Sequence, residues 1–119
     1  MPLNALDHSD PEPDVAVTVK PPESYSQDHP TTVLLAAEIS DSSLRLDRRK
    51  AGLYAAAEVP EYWILNLQSR RLEVHRLPVA DAKQEFGYRY AEVRELGEDE
   101  TIAPLARPDA KISIRKFFE

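Results

Sequence analysis

Hydrophobic residues recur along the chain with two different periods, and the switches between them divide it into elements. From residue 14, DVAVTVK alternates: Val15, Val17 and Val19 share one face and Asp14, Ala16 and Thr18 the other, which predicts a strand over 14–20. PPESYSQDHP, 21–30, carries proline at both ends and reads as a loop. TVLLAAEIS, 32–40, is almost continuously apolar, as in a strand buried on both faces. SDSS, 40–43, supplies turn and N-cap chemistry, and SLRLDRRKAGLYAAAE predicts a helix over 43–58. The helix ends before Pro60, because the residue preceding a proline is steered out of the helical region. EYWILNL, 61–67, and RLEVHRL, 71–77, predict two strands around a turn at Gln68–Arg70. FGYRYAEVREL, 86–96, predicts another strand, 97–109 a loop with one short strand, and KISIRKFF, 111–118, a final short element. Strand, strand, helix, strand and then further strands make an α/β (α+β) domain over 14–119, after a polar, disordered or extended lead-in over 1–13.

Composition narrows the classes. At 119 residues the chain has room for one domain with a modest core. Its apolar runs fall well short of the ~20 residues needed to span a bilayer, so no membrane association is expected. The first residues have neither a basic start nor a long apolar stretch, as a signal peptide would. With no cysteine there is no disulfide framework and no thiolate metal site, and the cytoplasm is the expected compartment. A formal charge of −6 argues against a general nucleic-acid coat protein, which gains affinity from many Lys/Arg–phosphate contacts. It is compatible with a carboxylate site whose charge is offset by bound cations.

Charged residues then stand where the pattern calls for apolar ones. Glu38 follows Leu34 and Ala36 on one face of the apolar strand. A carboxylate there either marks a solvent-exposed strand end or must be paired or bind metal, because an isolated buried charge is costly. On the helix, Leu46, Leu53 and Ala57 fall in a narrow arc expected to face the sheet, with Lys50 and Tyr54 on its flank. Arg45, Arg48, Arg49, Ala55 and Ala56 take the rest of the circumference. Lys50 either snorkels along the helix edge or reaches toward the sheet. Asp47, Lys50 and Tyr54 share a helix face, where Asp47 and Lys50 can form a simple surface ion pair. Asp14 opens the first strand. Taken together, two carboxylates on neighbouring strands can hold a divalent cation through hard oxygen ligands, and a nearby lysine can orient water and offset charge on a phosphate.

The same residues carry a resemblance. Pro13–Asp14–Val15, Glu38–Ile39–Ser40 with Ser42 and Ser43, Asp47, Lys50 and Tyr54, then Val59, Glu61, Tyr62 and Trp63 stand in the order and spacing of the Uma-two family. These are small bacterial proteins assigned to the PD-(D/E)XK nuclease superfamily. The chain resembles them closely over residues 10–78 and more loosely in its tail. The resemblance implies a restriction-endonuclease-like mixed central sheet with the 43–58 helix on its flank. It implies a DNA endonuclease hydrolysing phosphodiester bonds with Mg²⁺ or Mn²⁺. Asp14 and Glu38 would be metal ligands, joined by the backbone carbonyl of Ile39, and Asp14, Glu38 and Lys50 would be the catalytic set. The lysine common two positions after the second acid is replaced by Ser40, its function moving to Lys50. Ser40, Asp47 and Tyr54 would surround and support the site.

One departure sets an alternative. Family members usually carry before the PD motif a helix, a further acidic residue and the opening strands, whereas here 13 residues precede Asp14. The expectation is a partial domain without that first helix and those strands, its exposed sheet edge suited to homodimer formation. The competing reading is a catalytically inactive remnant that serves as an interaction or dimerisation module.

Other chemistry is thinly represented. His8, His29 and His75 show no metal-ligand spacing, and His75 with Glu73 reads as the solvated face of its strand. Tyr62 and Trp63 read as packing residues. Arg45, Arg48 and Arg49 either touch a phosphate backbone or form a solvated helix face. Ser40, Ser42 and Ser43 lack a His/Asp partner and are explained as turn and cap residues. No glycine-rich phosphate loop is present.

Overall fold

The computed structural model describes residues 14–19 and 32–119; the lead-in expected over 1–13 and the loop over 21–30 lie outside them. The elements are β1 (Val15–Val19), β2 (Thr32–Ser40), α1 (Leu44–Ala56), β3 (Glu61–Asn66), β4 (Arg71–Ala80), β5 (Tyr88–Leu96), β6 (Thr101–Ile102) and β7 (Ile112–Ser113), followed by a 3₁₀ turn, Ile114–Phe118. Five strands form a sheet in the order β1-β2-β3-β4-β5, and β6 and β7 form a small second sheet. Only β2 and β3 run parallel; the other neighbouring pairs in the large sheet are antiparallel. This is the expected mixed sheet with one flanking helix, since parallel neighbours need a crossover and α1 supplies it. Among the described residues, no helix is long and apolar enough to cross a membrane.

Both faces of the sheet are covered. Under α1, Ala36, Tyr62, Ile64 and Tyr90 pack against Ala51, Tyr54 and Ala55. On the opposite face, Leu35, Trp63, Leu72, Val74 and Leu96 pack against Ile102 and Ile114 from the C-terminal segment. This double cover corrects the reading of Glu73 and His75 as solvated. They alternate with Leu72 and Val74, and so lie beneath α1, only 5% and 7% exposed.

The buried arc of α1 is also rotated from the one expected. Asp47, Ala51, Tyr54 and Ala55 are buried, while Leu46 is 50% exposed. Small residues set this contact: Ala51 and Ala55 let the helix approach the sheet, and the Tyr54 ring stacks on Tyr62 with centroids 4.6 Å apart. The helix ends in a Schellman arrangement, with Val59 N–H donating to the Tyr54 carbonyl (3.0 Å) and Glu58 N–H to that of Ala55 (2.9 Å). Glu58 supplies the left-handed residue at φ 60, the place glycine usually takes.

Strand β4 runs past Pro78 to Ala80, longer than its sequence pattern indicates. Its pairing with β3 stops at Arg76, and beyond that it pairs with β5 alone. A proline without an N–H is tolerated where one side of the strand is unpaired.

Candidate acidic site at the β1–β2 edge

The start of β1 and the end of β2 bring the first two acids together. Val15 pairs with Ala37, so Asp14 lies one step beyond the ladder, beside Glu38 and Ile39. Its carboxylate Oδ2 accepts a hydrogen bond from Ile39 N–H (2.7 Å), and its own N–H donates to Glu38 Oε1 (3.3 Å). Asp14 is exposed, whereas Glu38 is only 3% exposed on the face that α1 covers. The strand-end reading of Glu38 is thereby excluded.

The helix brings the rest. Tyr54 hydroxyl donates to Glu38 Oε2 (2.9 Å), and Lys50 Nζ approaches the same oxygen (3.4 Å) and Asp47 Oδ1 (3.6 Å). Lys50 is 23% exposed, so the ammonium is held among carboxylates at the mouth of the site. Asp47 is fixed from below by Ser43, whose hydroxyl donates to Oδ2 (2.7 Å). The Ser43 side chain makes no capping bond to the helix backbone, contrary to the cap expected at this position, and donates to Asp47 instead. Tyr62 hydroxyl donates to the Asp47 carbonyl (2.7 Å), tying the first turn of α1 to β3.

Burial pushes the Glu38 carboxyl above the usual carboxylate range. The Tyr54 hydrogen bond and the Lys50 charge oppose that rise, and the negative charge of Asp14 adds to it. Burial beside the same carboxylate also drives the Tyr54 hydroxyl above its ordinary value, so it stays a donor.

The donor set fits a hard divalent cation. Asp14 Oδ1 has no protein partner among the described residues, and Glu38 Oε1 has only the long contact from Asp14 N–H. Within a strand, the N–H and C=O of one residue face the same neighbour. Ile39 turns its N–H to Asp14, and Ser40 its carbonyl to Leu67 on the β3 side, so the Ile39 carbonyl faces the Asp14 edge. Three oxygens of the type Mg²⁺ and Mn²⁺ prefer thus line one edge of β2. Ser40 lies two residues on from Glu38 and is fully buried, and its hydroxyl has no hydrogen-bond partner among the described residues. No group of three or more His, Cys, Asp or Glu side chains able to hold a metal occurs among the described residues, so a cation here would also need the Ile39 carbonyl.

The remaining candidates lie elsewhere. His8 and His29 are outside the described residues. Tyr62 and Trp63 are buried packing residues. Arg48 and Arg49 are not simply solvated: Arg48 pairs with Glu73 and Arg49 with Glu85. Sequence patterning also missed a buried cluster on the opposite face. There Glu61, 0% exposed, accepts hydrogen bonds from Trp63 Nε1 (2.7 Å), Arg76 Nε (2.7 Å) and Leu105 N–H (2.9 Å). The cluster fastens the C-terminal segment to the sheet, and its signal was the match of Glu61 with Arg76 across a hairpin otherwise rich in apolar residues.

No curated protein and no solved structure matches the chain. The family model described as "Uma2: Putative restriction endonuclease" matches residues 1–115, and the chain belongs to that family.

Proposed function

We propose that the chain acts as a Mg²⁺- or Mn²⁺-dependent DNA endonuclease through the site at the β1–β2 edge. The observation that carries this reading is the convergence of Asp14, Glu38 and Lys50, from β1, β2 and α1, on contacts of 3.4 Å or less. Family membership supports a nuclease with DNA as its substrate. The carboxylates of Asp14 and Glu38 and the carbonyl of Ile39 would hold the cation, which supplies Lewis acidity and a more acidic bound water.

In the reaction, the oxygen of a water bonds to phosphorus, a P–O ester bond breaks, and the departing oxygen leaves as a hydroxyl group. Lys50, partly open to solvent above Glu38, places its ammonium where charge builds on the phosphate oxygens. Asp47 and Glu38 hold that ammonium from two sides. Tyr54 fixes Oε2 of Glu38 and so leaves Oε1 turned to Asp14 and the cation.

The test is cleavage of supercoiled and linear DNA with Mg²⁺, Mn²⁺ or chelator, alongside calorimetric titration of each metal. Lys50→Gln should cost about 10²–10³ in rate, the scale for one preorganised electrostatic group. Glu38→Ala should abolish metal binding. Full metal-dependent cleavage by Asp14→Ala would overturn the assignment. A folded chain that binds no metal would instead point to a non-catalytic interaction module.

A further inference from the structure

A second feature lies across α1 from the acidic site. A cavity of about 290 Å³ opens between α1, β4 and the segment leading into β5, lined among others by His75, Gln84, Phe86, Tyr88 and Tyr90, with Arg48 at its rim. Drug-sized ligands occupy cavities from about 300 Å³ upward, so this one is matched to a smaller, single-ring-system guest. Several of its walls are planar aromatic side chains, the surfaces on which heteroaromatic rings stack.

His75 gives the cavity polarity. Its ring is 7% exposed, tilted against Tyr62 and edge-on to Tyr90, with centroids 5.5 Å and 5.8 Å away. Nε2 lies 3.1 Å from Glu73 Oε1. Burial raises the Glu73 carboxyl, but the hydrogen bonds from His75 and Arg48 outweigh it and leave Glu73 below the usual carboxylate range. An ionised Glu73 only accepts, so Nε2 carries the proton and Nδ1 is an acceptor in the neutral ring. Nδ1 has no partner among the described residues, although the ring is more than nine-tenths buried and faces the cavity.

The arginines do not make this an anion site. Arg48 is paired with Glu73, Arg49 with Glu85 and Arg89 with Asp81, so their charge is already matched. What remains unmet is an aromatic slot with one unpartnered acceptor open to the cavity.

We propose that this cavity receives a single nucleobase bearing an exocyclic amino group, which donates to His75 Nδ1 while its ring stacks on the aromatic walls. The inference rests on the endonuclease reading for the origin of the base. Glu38, Ile64 and Glu73 stand in register across β2, β3 and β4. At about 4.8 Å per strand and about 3.3 Å per residue, His75, two residues farther along β4, lies about 12 Å from Glu38, a few nucleotide steps of about 3.4 Å along one strand. A base must leave its stack to enter such a slot, at a cost lowest in single-stranded or damaged DNA.

The experiment is calorimetric titration of the full chain with dAMP, dCMP, dTMP and inorganic phosphate, with ¹⁵N shifts of His75 recorded alongside. dAMP or dCMP should bind about five- to tenfold more tightly than dTMP, the scale of one hydrogen bond, and should move the Nδ1 resonance. His75→Phe keeps the ring contacts and should erase that preference. If that variant fails to fold, Gly52→Ala decides: its new Cβ would lie 2.9 Å from Phe86 Cδ2 and displace that wall, weakening every nucleotide. Absent nucleotide binding by the folded chain, phosphate binding as tight as that of nucleotides, or a preference surviving in His75→Phe would each overturn the proposal; so would unchanged binding by Gly52→Ala where that variant decides. The two readings separate cleanly. Cleavage without nucleotide binding removes only the base site, and amino-base binding without cleavage removes only the endonuclease assignment.

Discussion

Replacing Tyr54 by Phe removes one hydroxyl and little else. The ring remains stacked on Tyr62, while Glu38 Oε2 loses its 2.9 Å donor. A hydrogen bond to a charged group contributes about 1.5–3 kcal/mol, and 1.36 kcal/mol corresponds to one pKa unit. The Glu38 carboxyl, already raised by burial, should therefore move up further. A carboxyl whose folded value lies above its unfolded value contributes stability at low pH that is lost as pH rises through the folded value. The variant widens that window. Its deficit should be small near about pH 4 and grow to about 1.5–3 kcal/mol by about pH 8. Urea denaturation at several pH values in chelator, with a ¹³C titration of the Glu38 carboxyl, measures both quantities. Tyr62→Phe is the control: it loses a bond to a neutral backbone carbonyl (2.7 Å), worth about 1 kcal/mol with no comparable pH dependence. A Tyr54→Phe deficit that is the same at every pH, or an unmoved Glu38 titration, would refute the reasoning.

Glu38→Gln should abolish cleavage yet raise the melting temperature of the metal-free chain at pH 8, because it removes a buried charge repelled by Asp14 while Lys50 keeps Asp47 at 3.6 Å. The gain should shrink toward pH 4.5, where Glu38 is itself protonated; a lower melting temperature at pH 8 would show that the Lys50 pair outweighs burial. Arg76→Ala strands Glu61 in the core with only Trp63 and Leu105 as donors and should cost about 3–5 kcal/mol, with faster hydrogen exchange over 101–118. A loss under about 1 kcal/mol in denaturant would show that the pair holds little. Glu58→Gly relieves a left-handed residue at the helix end and should stabilise the fold by about 0.5–1 kcal/mol; an unchanged denaturation midpoint would refute the strain.

The site was legible where it broke a local rule. Glu38 sits in an apolar strand without local reason, and Lys50 sits beside an apolar helix stripe, so each stands out against periodicity before any fold is known. Asp14 and Tyr54 became readable only through spacing shared with a family, because a strand-start acid and a helix tyrosine break no rule alone. Patterning failed where polar residues satisfied one another. Glu73 and His75 alternate as surface residues do, yet lie buried because they bond to each other and to Arg48. Glu61 is buried for the same reason, through Arg76 and Trp63. Hydrophobic periodicity measures the cost of burying an unpaired polar group and is blind to pairs whose partners are distant in sequence. The rotated face of α1 has a related cause. Leucines mark the apolar arc in a sequence, but Ala51 and Ala55 let the helix approach closely, and the stack of Tyr54 on Tyr62 fixes which side faces down. That choice of face turns Lys50 and Tyr54 onto Glu38, so the packing of small residues against the sheet decides whether the acidic site has a lysine at all.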